Sequence, residues 1–409
     1  MFLGASDGHL PALDGLRFMA AMLVAGGHYT GMFVPGIFPE VLHSFTGLGM
    51  TLFFVLSGFV IHYNYHATLQ QPGGVRLFLA ARFARLYPLY IVLFLIEFAY
   101  LVASARSPCA RAGDFGGQFN ALLNYLTLTQ SWTYAVACEK ALIYQYGPIS
   151  AVTWSISVEM FFYLAYAAGA RILAGRDVTR AGVVGAAAAV YAATVICFWL
   201  CGHYQAEIDS LALETFGRAA STAADYNDSL LRWLLYFNPL ARLAEFCIGV
   251  AVAIVFMERQ PRSAGEAGKL ASRTTLGTIV AVVAVHLWLY APGGDVLIGR
   301  VASQLYAPLV GIMMYCIVRD ITPWSRILSL PLMVALGQAS YSIYLLHEIF
   351  PSAYKRLGIE TANPMAAWAL WAATLALLAL VSRVSYLTVE SPARRVLRRL
   401  LAPRLPQRT

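Results

Sequence analysis

Arg17, His28 and Glu159 are ionisable residues set inside apolar runs long enough to span a bilayer. Titratable groups at membrane depth are costly and usually face a bundle interior or a water-filled cavity, so each is a candidate for chemistry. Arg17 and His28 share the stretch Leu13–Tyr29 and stand eleven residues apart. On a helix that is about three turns, placing both on one face at roughly 16 Å axial separation. Ala21, Val24 and Ala25 line that face between them, with Gly26 and Gly27 beside His28. Small residues permit close helix packing or leave room for a slender ligand. The pair offers a cation near one membrane surface and a proton-transfer group deeper in. Each also has a plainer reading: an arginine at a helix end anchors topology, and a buried histidine can be a satisfied structural group.

Further residue types extend the pattern. The stretch Thr153–Tyr163 carries Trp154, Ser155 and Glu159. If it enters the membrane from the outer side, Glu159 lies roughly 10 Å deep, and His28 about 9 Å below the same boundary. A carboxylate beside an imidazole fixes its tautomer and stabilises the imidazolium, as general-base catalysis requires. Glu159 could equally pair with another buried donor for structure alone. Tyr341, Tyr344 and His347 follow near-helical spacing in a later apolar run and could line the same cavity or serve as interface anchors. Arg82 and Arg85 stand on adjacent turns of a helix start, a spacing suited to phosphate as well as to topology. No Walker or Rossmann glycine pattern and no metal-ligand cluster is present in the sequence, so a nucleotide hydrolase or metalloenzyme is not expected.

The elements that must position these residues follow from composition. The 409 residues are 59% hydrophobic and 12% charged, with mean hydropathy +0.63. Successive apolar runs of about twenty residues predict an all-α, polytopic transmembrane bundle. Ten spans are expected, near Leu16–Val34, Gly47–Tyr65, Leu86–Ala103, Val152–Leu173, Ala181–Cys201, Leu240–Met257, Thr275–Ala291, Leu297–Val318, Met333–Pro351 and Met365–Leu387. Basic residues crowd every other connection: Arg76, Arg82 and Arg85; Arg171, Arg176 and Arg180; Arg259, Arg262, Lys269 and Arg273; Arg319 and Arg326; then Arg394, Arg395, Arg398 and Arg399 in the tail. The positive-inside rule puts these loops and both termini in the cytoplasm. The +8 net charge thereby has a topological explanation, and nucleic-acid binding is not expected. The chain reads as one integral membrane domain over 1–409, its spans covering roughly 16–387 and a basic tail 388–409, with no appended soluble domain. Acidic Asp7 and Asp14 stand where a signal peptide would be basic, so the first span is expected to remain.

The long connections Ser104–Ala151 and Gly202–Pro239 then lie outside, rich in aromatic and polar residues. Such surfaces suit a sugar or glycolipid head group, and equally an interfacial aromatic belt. Cys109 and Cys138 share one of these loops and could form a disulfide there. Cys197, Cys247 and Cys316 fall in apolar runs, as packing residues.

Seven stretches taken in order resemble the membrane-bound acyltransferase-3 family. They are Asp14-Gly15-Leu16-Arg17 with His28; Gly49–Ile61; Arg82-Phe83-Ala84-Arg85-Leu86-Tyr87-Pro88; Trp154–Glu159; Arg242–Gly249; Ser340–His347; and Tyr386–Arg395. The resemblance implies an inner-membrane, multi-pass O-acyltransferase that moves an acyl group, commonly acetyl, from cytosolic acyl-CoA to a glycan or glycolipid hydroxyl. Acyl-CoA, above all acetyl-CoA, is then a donor substrate rather than a permanently bound cofactor. By motif position His28 is catalytic and Glu159 supports it. Arg17, Arg82 and Arg85 bind the donor. Trp154, Ser155, Tyr341 and His347 are read from their own types and spacing as residues of the substrate site. Leu387 departs from the family, where many members carry an arginine. The pantetheine arm would thread along the small-residue face of the first span, and Ser57 or Ser155 could polarise the thioester carbonyl. A transporter or flippase with these polar groups along its path, or a non-catalytic scaffold, would explain the buried residues without acyl-CoA.

Overall fold

The computed structural model describes residues 9–34, 37–104, 106–176, 179–258, 266–289, 304–359 and 363–401, and it is overwhelmingly helical. Its described strands are two dipeptides, Val136–Ala137 and Lys140–Ala141, paired antiparallel. Among the described residues, six helices are long and apolar enough to cross a membrane: Leu42–Leu69, Gly74–Ala103, Pro148–Ile172, Arg180–His203, Ala267–Leu287 and Pro364–Leu401. Leu243–Met257 and Ala307–Arg319 are shorter apolar helices. The chain is an all-α polytopic membrane protein. The first expected span is the 23-residue helix Pro11–Phe33. It falls outside the six because Asp14, Arg17, His28 and its glycines lower its hydropathy. Residues 290–291 and 297–303 of two expected spans, with Arg259, Arg262 and the chain beyond Leu401, lie outside the described residues.

The segment expected as one span over Met333–Pro351 is instead three helices, Pro331–Gln338, Ser340–Leu346 and Ile349–Leu357. The physical reason for the second break, at His347-Glu348, is local. A helical proline has no N–H and its ring crowds the carbonyl four residues back, and four before Pro351 is His347. The His347 carbonyl accepts instead from the Tyr29 hydroxyl at 2.7 Å. One turn earlier, the Tyr344 carbonyl accepts from the His347 ring at Nδ1. Helical hydrogen bonding is thus diverted to side chains at His347-Glu348, where the chain turns.

The chain divides into two compact units, residues 1–60 with 248–386, and residues 61–247 with 387–409. In the first, the Pro11–Phe33 helix packs on Pro323–Leu328, Pro331–Gln338, Ser340–Leu346 and Pro364–Ser385. Glycines make the approach possible. A Cβ on Gly337 would stand 1.9 Å from the Asp14 carbonyl oxygen, and one on Gly15 2.1 Å from that of Leu328.

In the second unit, Gly74–Ala103 packs on Pro148–Val152, Trp154–Ile172 and Ser391–Leu401. Buried Glu97 accepts from the Ile149 and Ser150 amides at 3.1 and 2.7 Å, which satisfies donors left unpaired at a helix start. A disulfide joins Cys109 to Cys138. Buried Asp228 accepts from Lys140 at 2.5 Å and from the Ala141 amide at 3.1 Å. That hydrogen bond makes the Lys140 ammonium hold its proton more tightly than an ordinary lysine.

Candidate active site

His28 meets a carboxylate. Its Nδ1 hydrogen-bonds Oε1 of Glu348, brought there by the turn that breaks the Met333–Pro351 segment. His347, the other turn residue, lies with its ring centroid 5.0 Å from that of His28. Its Nε2 stands 3.5 Å from the same Glu348 oxygen. His43 completes the cluster, its ring 5.5 Å from His28. The His28 side chain is 31% exposed, whereas His347 is fully buried. This is a partly accessible imidazole held at one nitrogen by an acid, with a second imidazole behind the acid.

The first helix positions His28 through its neighbours. Tyr29, fully buried, holds the His347 carbonyl, so consecutive residues grip consecutive residues of the turn. Gly27 and Gly31 admit the second helix, Ile37–Leu69: a Cβ on Gly27 would lie 2.6 Å from Thr46, and one on Gly31 3.2 Å from His43. His43 donates to the Gly27 carbonyl at 3.0 Å, and Trp371 donates to that of Gly26 at 2.9 Å. Three backbone and side-chain anchors therefore surround the ring. The small-residue face toward Arg17 is tightly packed: Ala21 and Ala25 are fully buried, and a Cβ on Gly49 would sit 2.8 Å from Val24. Packing, not an open groove, lines the path expected for the pantetheine arm. Arg17 is paired with Asp14 at 2.8 Å, and Asp14 also meets His9 at 2.8 Å.

The remaining expected residues belong to the second unit, apart from Tyr341, which is buried in the first. Glu159 accepts from the Tyr163 hydroxyl. Arg82 donates to the Tyr65 hydroxyl at 2.6 Å and lies over that ring at 4.6 Å, with the Tyr163 ring at 5.9 Å. The Arg82 Nε is buried and has no hydrogen-bond partner among the described residues. Arg85 is half-buried one turn on. Trp154 is buried against Tyr236 and Phe237, with the Arg242 guanidinium 5.7 Å from its ring. Ser155 is buried beside it, its hydroxyl 3.4 Å from the Val152 carbonyl.

The Acyltransferase domain family matches residues 10–389. The chain belongs to the acyltransferase-3 family. It is an O-acyltransferase, as the sequence motifs lead one to expect. It is 26% identical over 401 residues to Acyltransferase MdmB of Streptomyces mycarofaciens, covering 95% of this chain and 93% of that one. It is 39% identical over 94 residues to Protein 2 in picA locus of Rhizobium radiobacter, covering 22% of this chain and 44% of that protein. No solved structure matches the chain.

Within this acyltransferase, the structure brings His28 and His347 together, as their motifs lead one to expect, and adds Glu348 and His43. Sequence reasoning passed over Glu348 because it directly follows His347 near a span end, where polar residues usually meet the interface. Two adjacent ionisable residues four and three positions before a proline were the available signal. The donor atoms of His28, His347 and Glu348 lie within 4.8 Å of one another, a His₂-carboxylate set in type.

Proposed function

We propose that this acyltransferase moves an acyl group, acetyl above all, from cytosolic acyl-CoA to a hydroxyl of an extracytoplasmic or membrane-associated glycan, such as an exopolysaccharide or lipopolysaccharide. The observation that carries the reading is the His28 imidazole, accessible on one side and held by a carboxylate on the other. With a proton on Nδ1 directed at Glu348, Nε2 is the basic nitrogen. The acceptor hydroxyl gives its proton to Nε2 while its oxygen attacks the thioester carbonyl. The tetrahedral intermediate expels the CoA thiolate, which takes the proton back from the imidazolium.

Donor recognition rests on Arg82 and Arg85. Guanidinium groups bind phosphate bidentately, and the unpartnered Arg82 Nε is a donor awaiting such an acceptor. Arg17, also expected at the cytosolic face, adds positive charge beside Asp14. Glu159 accepts from the Tyr163 hydroxyl, and the ring of Tyr163 lies 5.9 Å from the Arg82 guanidinium. Trp154, Ser155 and Tyr341 are assigned to the substrate site.

The test uses purified protein in nanodiscs with labelled acetyl-CoA and de-O-acetylated surface polysaccharide from the producing strain. His28→Ala should abolish transfer, and wild-type-like transfer by it would refute the base assignment. Arg82→Ala should raise KM for acetyl-CoA about tenfold or more, in line with loss of a charged hydrogen bond; an unchanged KM would remove Arg82 from the donor site.

A further inference from the structure

The proposed function needs His28 in one tautomer, with its proton on Nδ1, and the cluster around it supplies a reason. His347 is fully buried, and its Nδ1 faces the Tyr344 carbonyl. A carbonyl only accepts, so Nδ1 carries a proton, and full burial keeps the ring in its neutral form with a lone pair on Nε2. That Nε2 has no hydrogen-bond partner among the described residues and points to within 3.5 Å of Glu348 Oε1. Neutral His347 therefore gives the carboxylate nothing. The Glu348 oxygen still needs a donor, because it is largely withdrawn from solvent, its side chain 16% exposed, and an unpaired charge there is disfavoured. His28 Nδ1 is the group that meets it. Were His28 to carry its proton on Nε2 instead, three lone pairs would converge on one confined spot.

We propose that Glu348 is the positioning residue for His28, holding its ring and tautomer so that Nε2 faces the reaction, and that His347 enforces this by presenting Glu348 with a lone pair. The proposal rests on the general-base reading of His28. Positioning by Glu348 uses the rigid turn created by Pro351, tied to the first helix through Tyr29. Orientation of a catalytic imidazole by a hydrogen-bonded acid is a large effect: where the acid is replaced by its amide, the tautomer is lost and kcat falls by about 10⁴ in well-studied hydrolases.

The decisive comparison is Glu348→Gln with Glu348→Asp, both assayed with acetyl-CoA and the de-O-acetylated polysaccharide in nanodiscs. Glu348→Gln should lower kcat by about 10²- to 10⁴-fold while KM for acetyl-CoA stays within about twofold. Glu348→Asp, which keeps the charge, should recover kcat to within about tenfold of wild type. Retention of kcat within threefold in Glu348→Gln overturns the proposal, as does a KM change without a kcat change. Nitrogen NMR of histidine-labelled protein gives a readout that does not depend on activity. The signal lost in His28→Ala should report a protonated Nδ1 in wild type; a protonated Nε2 there overturns the proposal even if every Glu348 variant misfolds. Failure of the parent reading looks different: His28→Ala would then remain active, or a labelled acetyl-enzyme at His28 would accumulate when acetyl-CoA is supplied without acceptor.

Discussion

At the scale of single residues, the site depends on hydrogen bonds that a helix cannot make for itself. Pro351 leaves the His347 carbonyl without its helical donor, and Tyr29 replaces it. Tyr29→Phe removes that donor inside a fully buried pocket, and an orphaned buried carbonyl costs about 1–3 kcal/mol. Thermal unfolding in detergent should show the loss. Because the same turn carries Glu348, kcat should fall severalfold with it; full activity at wild-type stability would mean the turn is held by other contacts. His28, Arg17, Arg82 and Glu159 were legible beforehand, since an ionisable residue in an apolar run is conspicuous in one dimension. Glu348 was not, because its importance lies in meeting a residue 320 positions away.

At the scale of elements, long apolar runs announced the helices, while glycines decide how closely they pack. Gly337 and Gly15 let two backbones touch, and any Cβ there would overlap a carbonyl oxygen. Gly185 provides a control, as a Cβ there meets nothing within 4 Å. Alanine at an unencumbered helical site stabilises by up to about 1 kcal/mol. At Gly337 the same substitution should destabilise by about 3 kcal/mol or more, because the helices must separate. Parallel thermal melts of Gly185→Ala and Gly337→Ala check the sign; equal shifts would mean that the first helix does not rest on Pro331–Gln338. The broken segment shows the limit of reading by hydropathy. Met333–Pro351 is apolar enough to pass as one span, and only Pro351 and the polar pair before it mark the turn. Runs of apolar residues report burial in lipid or protein, and they are silent about where hydrogen bonds change partners.

At the scale of the whole molecule, the disulfide and the arginine-rich connections make opposing demands on location. Disulfides persist in oxidising compartments, whereas clustered arginines mark the cytoplasmic side. Cys109 and Cys138 lie in the long connection assigned outside by the arginine alternation, and they are bonded. The helix Ser391–Leu401, with Arg394, Arg395, Arg398 and Arg399, belongs to the side assigned inside. Both assignments hold together only if the two features face opposite sides of one membrane. Peptide mapping without reductant should recover Cys109 linked to Cys138, with Cys197, Cys201, Cys247 and Cys316 outside the bond. Replacing the pair by serine should cost about 2–4 kcal/mol, a typical worth for such a link. In intact cells, after mild reduction, a membrane-impermeant maleimide should label Cys138. A cysteine introduced as Arg399→Cys should label only after lysis, because the reagent cannot reach the cytoplasm. Labelling of the Arg399→Cys variant in intact cells would invert the topology, and with it the cytosolic supply of acyl-CoA to Arg82 and Arg85.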